Sequence, residues 1–117
     1  MRLAGSGKRG HVRLMLEQDG DAYFLNLWTR EDTGGFAQVG RTVLPRSRTV
    51  HIEIDWMAAS APGADDGQVK LFKNNKLRIS AADLDNDGHK IGSVTLGFPA
   101  GSSGAGTFLV DNYVSTP

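Results

Sequence analysis

The chain of 117 residues contains no cysteine, which excludes disulfide bonds, thiolate metal ligands and cysteine nucleophiles. It also lacks any run that approaches the roughly eighteen apolar residues of a membrane-spanning helix. Near the amino terminus, Arg13 separates Val12 from Leu14, which interrupts the apolar segment that a signal peptide would need. We therefore predict no membrane insertion and no signal peptide in this chain.

An excess of charge of one sign is also absent. Thirteen Lys and Arg residues balance thirteen Asp and Glu residues, so the formal net charge is zero at pH 7. A neutral chain creates no long-range field that would attract nucleic acid or an anionic membrane. We expect a glycan or another protein as the partner, and no nucleic acid.

The chain is rich in turn residues that separate short alternating segments. It contains 15 glycines and four prolines, and no stretch longer than about ten residues has the apolar spacing of a helix. Its length suits one domain over residues 1–117 with a core of its own. We predict an all-β fold, an antiparallel β-sandwich.

Two dipeptides mark hairpin turns. Asp19-Gly20 forms the tip of a hairpin between the segments HVRLMLE and AYFLNLWTR. Asn74-Asn75, two residues that tolerate the left-handed conformation, separates QVKLFK from KLRIS. We predict that KLRIS ends before a loop, AADLDNDGHK, and that a short strand passes through Phe36 and Val39.

The segment VHIEIDWMAAS, residues 50–60, has the most regular alternation in the chain. A strand over residues 49–58 directs Ile52, Ile54 and Trp56 toward the core, because side chains alternate between the two faces of a strand. Glu53 and Asp55 then lie side by side on the opposite face. This arrangement favours a solvated strand face over a catalytic pair of carboxylates.

One stripe of side chains suits carbohydrate binding. Phe24, Asn26 and Trp28 share one face of the AYFLNLWTR strand, opposite Tyr23, Leu25 and Leu27. Aromatic rings and planar amides on an open face could stack on a sugar and hydrogen-bond to it, with Trp28 best placed to stack. The alternative is that the stripe packs beneath a loop or against further strands. For aromatic and amide side chains on a strand, packing is the favoured interpretation.

Five segments carry a family resemblance: VHIEIDWMAAS, DGQVKLF, ISAADLDND, IGSVTLGF and the closing GTFLVDNYVST. In this order they resemble the later half of bacterial laminin G-like domains of the concanavalin A-like lectin/glucanase superfamily. The resemblance covers residues 49–116 and implies a jelly-roll sandwich acting as an extracellular or cell-surface binding module. Such domains are usually longer, so we expect a partial or minimal version whose unpaired sheet edge favours homo-oligomers.

The same superfamily includes family-16 glycoside hydrolases, whose catalytic strand resembles E-x-D-x-(x)-E. Glu53 and Asp55 match its first two carboxylates, but the acid/base position falls at Met57 or Ala58. Neither side chain can donate the proton that retaining hydrolysis requires. We therefore predict that the chain is not an enzyme, and a hydrolase remnant is a distant alternative.

The segment DLDNDGHK contains a candidate calcium site. Asp83, Asp85, Asp87 and Gly88 match the first, third, fifth and sixth positions of a calcium-binding loop, but the twelfth is Val94 instead of the required Glu. The pattern favours a polar hairpin loop, with a weak calcium site on the three aspartates as the alternative. By the family resemblance, Asp111 on the closing strand is a further candidate metal ligand.

These observations predict a non-catalytic binding module, with carbohydrate recognition or adhesion as the first hypothesis. A protein-interaction or architectural module of a larger secreted protein is the alternative. The candidate ligand-binding residues are Phe24, Asn26 and Trp28.

Overall fold

The computed structural model describes residues 2–4, 10–32, 35–88 and 93–95, and within these the side chains of 11–32 and 35–88. The described residues form eight strands: β1 (Arg2–Ala4), β2 (Gly10–Asp19), β3 (Ala22–Arg30), β4 (Phe36–Val43), β5 (Ile52–Met57), β6 (Gly67–Lys73), β7 (Lys76–Leu84) and β8 (Ser93–Thr95). They contain no helix that is long and apolar enough to cross a membrane.

The strands form two antiparallel sheets. The larger sheet has the order β4-β3-β2-β1-β8, and the smaller sheet has the order β5-β6-β7. Hairpins join β2 to β3 and β6 to β7, so neighbours in sequence are also neighbours in each sheet. The all-β prediction is confirmed, and the two sheets form a small β-sandwich.

The core lies between the two sheets. The larger sheet contributes Val12, Leu14, Leu25 and Leu27, and the smaller sheet contributes Val69, Leu71, Ile79 and Leu84. Partly buried Ile52, Ile54 and Trp56 pack against this cluster, as the alternation in β5 predicted. Each fully buried aliphatic side chain stabilises the fold by about 1.5–3 kcal/mol relative to an exposed one, so this layer is the main source of stability.

The two predicted hairpins are present, with one change at the first. Asp19 pairs with Ala22, so the turn residues are Gly20 and Asp21 instead of the predicted Asp19-Gly20. Gly20 has a φ of 61°, a conformation that glycine adopts without steric cost. In the second hairpin Asn74 and Asn75 have φ of 50° and 66°, which is the backbone required at both central residues of a type I′ turn.

Three strand boundaries differ from the prediction. β5 covers Ile52–Met57 and is shorter than residues 49–58, whereas β4 extends to Val43. β7 continues through the residues AADL that the sequence assigned to a loop. Pairing with β6 explains this extension, because Ala81 lies opposite Val69 and the buried Leu84 lies opposite Gly67.

Close backbone packing brings β4 against β7. A Cβ atom on Gly40 would lie 2.9 Å from Cγ2 of Ile79, so the absence of a side chain at position 40 allows this contact. Where β4 and β6 end, Nζ of Lys73 donates a hydrogen bond of 2.7 Å to the Val43 carbonyl oxygen. These contacts join a strand of one sheet to a strand of the other.

The described parts of the larger sheet end at β4 and β8, and those of the smaller sheet end at β5 and β7. Self-association through a sheet edge stays a prediction. The proposed closing strand, which includes Asp111, lies outside the described residues.

Candidate functional site

The predicted stripe lies on the outer face of the larger sheet, which we define as the side that points away from the core. Phe24, Asn26 and Trp28 alternate along β3 with the buried Leu25 and Leu27. Their partners on β2 bring further side chains to the same face, namely Glu17, Met15 and Arg13 in that order. The structure therefore brings the three predicted residues together, on a central strand rather than at an edge.

Asn26 is held inside a hydrogen-bond network of the sheet. Its side chain is 3% exposed, its Nδ2 donates to Oε2 of Glu17, and its Oδ1 accepts a bond of 2.9 Å from Nε2 of Gln38. Both ends of the amide are engaged, so Asn26 links its neighbours on β2 and β4, and its predicted role in ligand binding stays a prediction. A buried amide with both partners satisfied stabilises the face that carries it.

Two of the aromatic rings on this face are covered by arginines. The guanidinium carbon of Arg41 lies 4.0 Å from the centroid of the Phe24 ring, and that of Arg13 lies 4.4 Å from the Phe36 ring. Both distances are within the range of a cation–π interaction. In the described part of the chain Trp28 has no such cover, so its indole is the ring best placed to stack on a ligand.

Sequence reasoning missed the two arginines that flank Trp28. Arg13 is the cross-strand partner of Trp28, and Arg30 follows Trp28 by two residues on the same side of β3. The alternation in HVRLMLE and AYFLNLWTR already placed both on the stripe's face. What the sequence could not supply was the pairing register, which puts Arg13 beside Trp28 instead of beside another residue of β3.

A second candidate site is a cluster of three carboxylates, which we call the acidic cluster. Asp32, Asp85 and Asp87 each offer a carboxylate oxygen, and these oxygens lie within 4.8 Å of one another. Asp32 follows β3 in the larger sheet, whereas the other two follow β7 in the smaller sheet. The cluster therefore joins segments that are distant in sequence.

Backbone hydrogen bonds hold the two segments of the acidic cluster together. The Asp32 amide donates to the Asp85 carbonyl oxygen at 2.7 Å. The Gly88 amide donates to both carboxylate oxygens of Asp32, at 3.0 and 3.2 Å. Burial, followed by the charge of Asp32 and hydrogen bonds with Asp32 and Asp85, raises the pKa of Asp87 above its usual range.

Asn86 anchors the loop that carries two of these aspartates. Its side chain is fully buried, with Oδ1 accepting a bond of 2.6 Å from the Ala59 amide and Nδ2 donating to the Met57 carbonyl oxygen at 3.3 Å. Asn86 therefore points into the sandwich while Asp85 and Asp87 face Asp32. No local pattern of the sequence indicates that this asparagine, and not a neighbouring aspartate, is the buried residue.

The donor set of the acidic cluster suits a hard cation such as calcium, which is bound by carboxylate and carbonyl oxygens. The membership differs from the predicted set. Asp83 lies in β7, is exposed and has a φ of 58°, and it is not part of the group. Asp32 takes its place, because cross-sheet packing brings it to Asp85 and Asp87.

Glu53 and Asp55 lie on the exposed face of β5, as predicted. Asp55 is opposite Lys70 of β6, and the neighbouring Met57 is 51% exposed.

Two small cavities lie in the described part of the chain. One of about 200 Å³ beside Asp55 is lined by Trp56 and Gln68 among others, and another of about 200 Å³ lies near Thr29 and Leu84. Both are smaller than the roughly 300–1,000 Å³ of typical small-molecule pockets.

Comparisons of the chain with protein-family models, with curated proteins and with solved structures find no match.

Proposed function

We propose that this protein is a non-catalytic binding module that recognises a glycan on the outer face of the larger sheet. The observation that carries the proposal is Trp28, a half-buried indole on the outer face whose aromatic neighbours Phe24 and Phe36 are already covered by arginines. An uncovered ring on a rigid strand can stack on the apolar face of a pyranose. The Asn26 network holds that strand in register with β2 and β4.

We propose further that the protein binds the glycan without hydrolysing it. Glu53 and Asp55 are exposed on a strand face, and Met57 stands where a hydrolase of this kind would need its proton donor. A retaining mechanism requires two carboxyl groups on either side of the scissile bond, one of them protonated. This arrangement supports a binding role in place of hydrolysis.

We also propose that the sandwich is a concanavalin A-like jelly roll of the laminin G-like kind, and that it acts outside the cell or at its surface. The support is the resemblance of residues 49–116, together with the two-sheet architecture and the hairpin between β6 and β7.

A protein-interaction module is the second candidate. Met57 and Leu77 are each 51% exposed on the smaller sheet, and Leu77 lies opposite Phe72. Exposed apolar side chains of this kind contribute to protein contacts when they form a continuous patch. This surface is on the opposite side of the sandwich from Trp28, so variants can test the two candidates separately.

A glycan panel, followed by calorimetric titration of its best binder, tests the primary proposal. We expect Trp28→Ala to weaken binding by about tenfold or more, because an aromatic contact contributes about 1 kcal/mol beyond the area it buries. Trp28→Phe should retain part of the affinity, and Met57→Ala on the smaller sheet should leave it unchanged. Unaltered glycan binding by Trp28→Ala would exclude the proposed surface. Binding of a protein that Met57→Ala abolishes would favour the second candidate.

A further inference from the structure

Two positive charges on the outer face, those of Arg13 and Arg30, have no acidic partner among the described residues. Nε of Arg13 and Nε of Arg30 are both sealed from solvent without a hydrogen-bond partner, and neither side chain pairs with a carboxylate in the described part of the chain. Both residues are half-buried, and an unsatisfied buried polar atom such as each Nε requires an explanation. A ligand with an anionic group would supply the negative charge that the described residues do not place beside these two guanidiniums.

The acidic side chains nearby are engaged elsewhere. Glu17 accepts a hydrogen bond from Asn26, and Asp19 lies 3.7 Å from the guanidinium of Arg41. Within the part of the chain that the structure describes, Arg13 and Arg30 are thus the unneutralised charges of this face, and they flank Trp28. Positive charge is therefore concentrated around the ring that we propose as the stacking platform.

We infer that the outer face selects a glycan that carries an anionic group, with Trp28 stacking on the sugar ring while Arg13 and Arg30 bind a carboxylate or sulfate on it. The inference rests on the proposed function and names the substrate class of the same site. A directly opposed cross-strand pair lies about 4.5–5.5 Å apart, and alternate residues of a strand lie about 7 Å apart. Both guanidiniums can therefore reach substituents of a sugar that is stacked on Trp28.

The chemistry of arginine favours this ligand class. Its planar fork of N–H donors matches the oxygens of a carboxylate or sulfate, and charge-assisted hydrogen bonds of this kind are about twice as strong as neutral ones. Nucleic acid is the less favoured anion, because binding of single strands depends on successive stacking platforms. On this face Arg41 covers Phe24 and Arg13 covers Phe36, which leaves Trp28 as the single free platform among the described residues.

The test titrates the whole chain at low salt with matched oligosaccharides: an oligogalacturonate, its methyl-esterified form, a sulfated oligosaccharide and a neutral one. A single-stranded oligonucleotide is the anionic control. We expect at least one anionic glycan to bind about tenfold tighter than its uncharged counterpart, with an affinity that falls as salt is added. Comparing the affinity for the oligogalacturonate with that for the sulfated oligosaccharide shows whether the face prefers a carboxylate or a sulfate.

Substitution of each arginine tests whether Arg13 and Arg30 cause the preference for an anionic glycan over a neutral one. Arg13→Gln and Arg30→Gln should each weaken binding of the anionic glycan by roughly tenfold and weaken neutral-glycan binding less, since each removes a charge-assisted contact. Arg78→Gln, which removes an exposed arginine from β7 of the smaller sheet, is the matched control and should bind as the wild type. Thermal unfolding of each variant confirms that it is folded.

The outcomes separate the inference from the proposed function. Equal, Trp28-dependent binding of the esterified and free glycans would overturn the anionic preference and leave the glycan-binding proposal standing. Absence of binding to every glycan would overturn both. Tighter binding of the oligonucleotide than of any glycan would replace the inference with a nucleic-acid surface.

Discussion

The buried side chain of Asn86 packs directly against the backbone of Gly67, in the space that a side chain at position 67 would occupy. The same amide binds the backbone at Met57 and Ala59. One asparagine therefore ties the loop after β7 to the end of β5 and to the start of β6. The loop that carries Asp85 and Asp87 depends on this anchor.

Gly67→Ala should destabilise the protein strongly. The added Cβ would overlap all three terminal atoms of the Asn86 amide, and overpacking of a buried site typically costs about 1–3 kcal/mol. Urea unfolding followed by circular dichroism measures the loss. Gly35→Ala is the matched control, because a Cβ there meets no atom of the described residues within 4 Å. An equal free energy of unfolding for the two variants would contradict this account of the contact.

Asn86→Ala should also be destabilising, for a different reason. It leaves the Ala59 amide and the Met57 carbonyl without their partner, and an unsatisfied buried polar group costs about 1–3 kcal/mol. The double variant that combines Gly67→Ala with Asn86→Ala should lose less than the sum of the two, since the overlap disappears with the amide. Additive losses would show that the residues act independently.

Asp87→Asn should stabilise the metal-free protein at neutral pH. The pKa of Asp87 is raised above the ordinary value of 3.8, so the folded state holds this proton more tightly than the unfolded state. Wild-type stability therefore falls as pH rises from 3.8 through the raised pKa, and Asp87→Asn removes that fall. Unfolding at several pH values in the presence of a chelator measures the difference.

Asp65→Asn, which changes an exposed carboxylate in the loop before β6, serves as the control for this pH series. The advantage of Asp87→Asn should disappear below pH 3.8, where the proton is bound in both states. An advantage that persisted at low pH would mean that the raised pKa of Asp87 is not its cause.

Calcium should raise the melting temperature through the acidic cluster, with Asp32 as a ligand in place of Asp83. Bound ligand stabilises the folded state by mass action. We expect Asp32→Asn and Asp85→Asn to reduce the calcium-induced shift, because both carboxylates belong to the cluster. Asp83→Asn should retain the shift, since this exposed residue lies outside the group. If Asp83→Asn removes the shift, the ligands are those that the calcium-loop pattern predicted and not those of the acidic cluster. If millimolar calcium causes no shift in the melting temperature, the site is excluded.

Local alternation predicted which residues of a strand share a face. It placed Phe24, Asn26 and Trp28 together and directed Ile52, Ile54 and Trp56 toward the core, as the structure has them. It could not predict that Asn26 would be sealed in a network, because Glu17 and Gln38 reach it from neighbouring strands.

The calcium-loop spacing illustrates the same limit. Spacing of two put Asp83, Asp85 and Asp87 on one side of an extended chain, whereas β7 continues through Leu84 and leaves Asp83 behind on the strand. Asp32 could not be found by spacing, since the packing of two sheets brings it to the cluster.

By itself, the sequence determined the strand class, the turn chemistry at Asn74-Asn75 and the division of β5 into an apolar and an acidic face, because these depend on the two-residue period of a single strand. Only the tertiary structure decided that Arg13 flanks Trp28, that Asp32 joins Asp85 and Asp87, and that Asn86 occupies the space beside Gly67. These relationships depend on pairing register and sheet packing, which bring together residues that no local pattern connects.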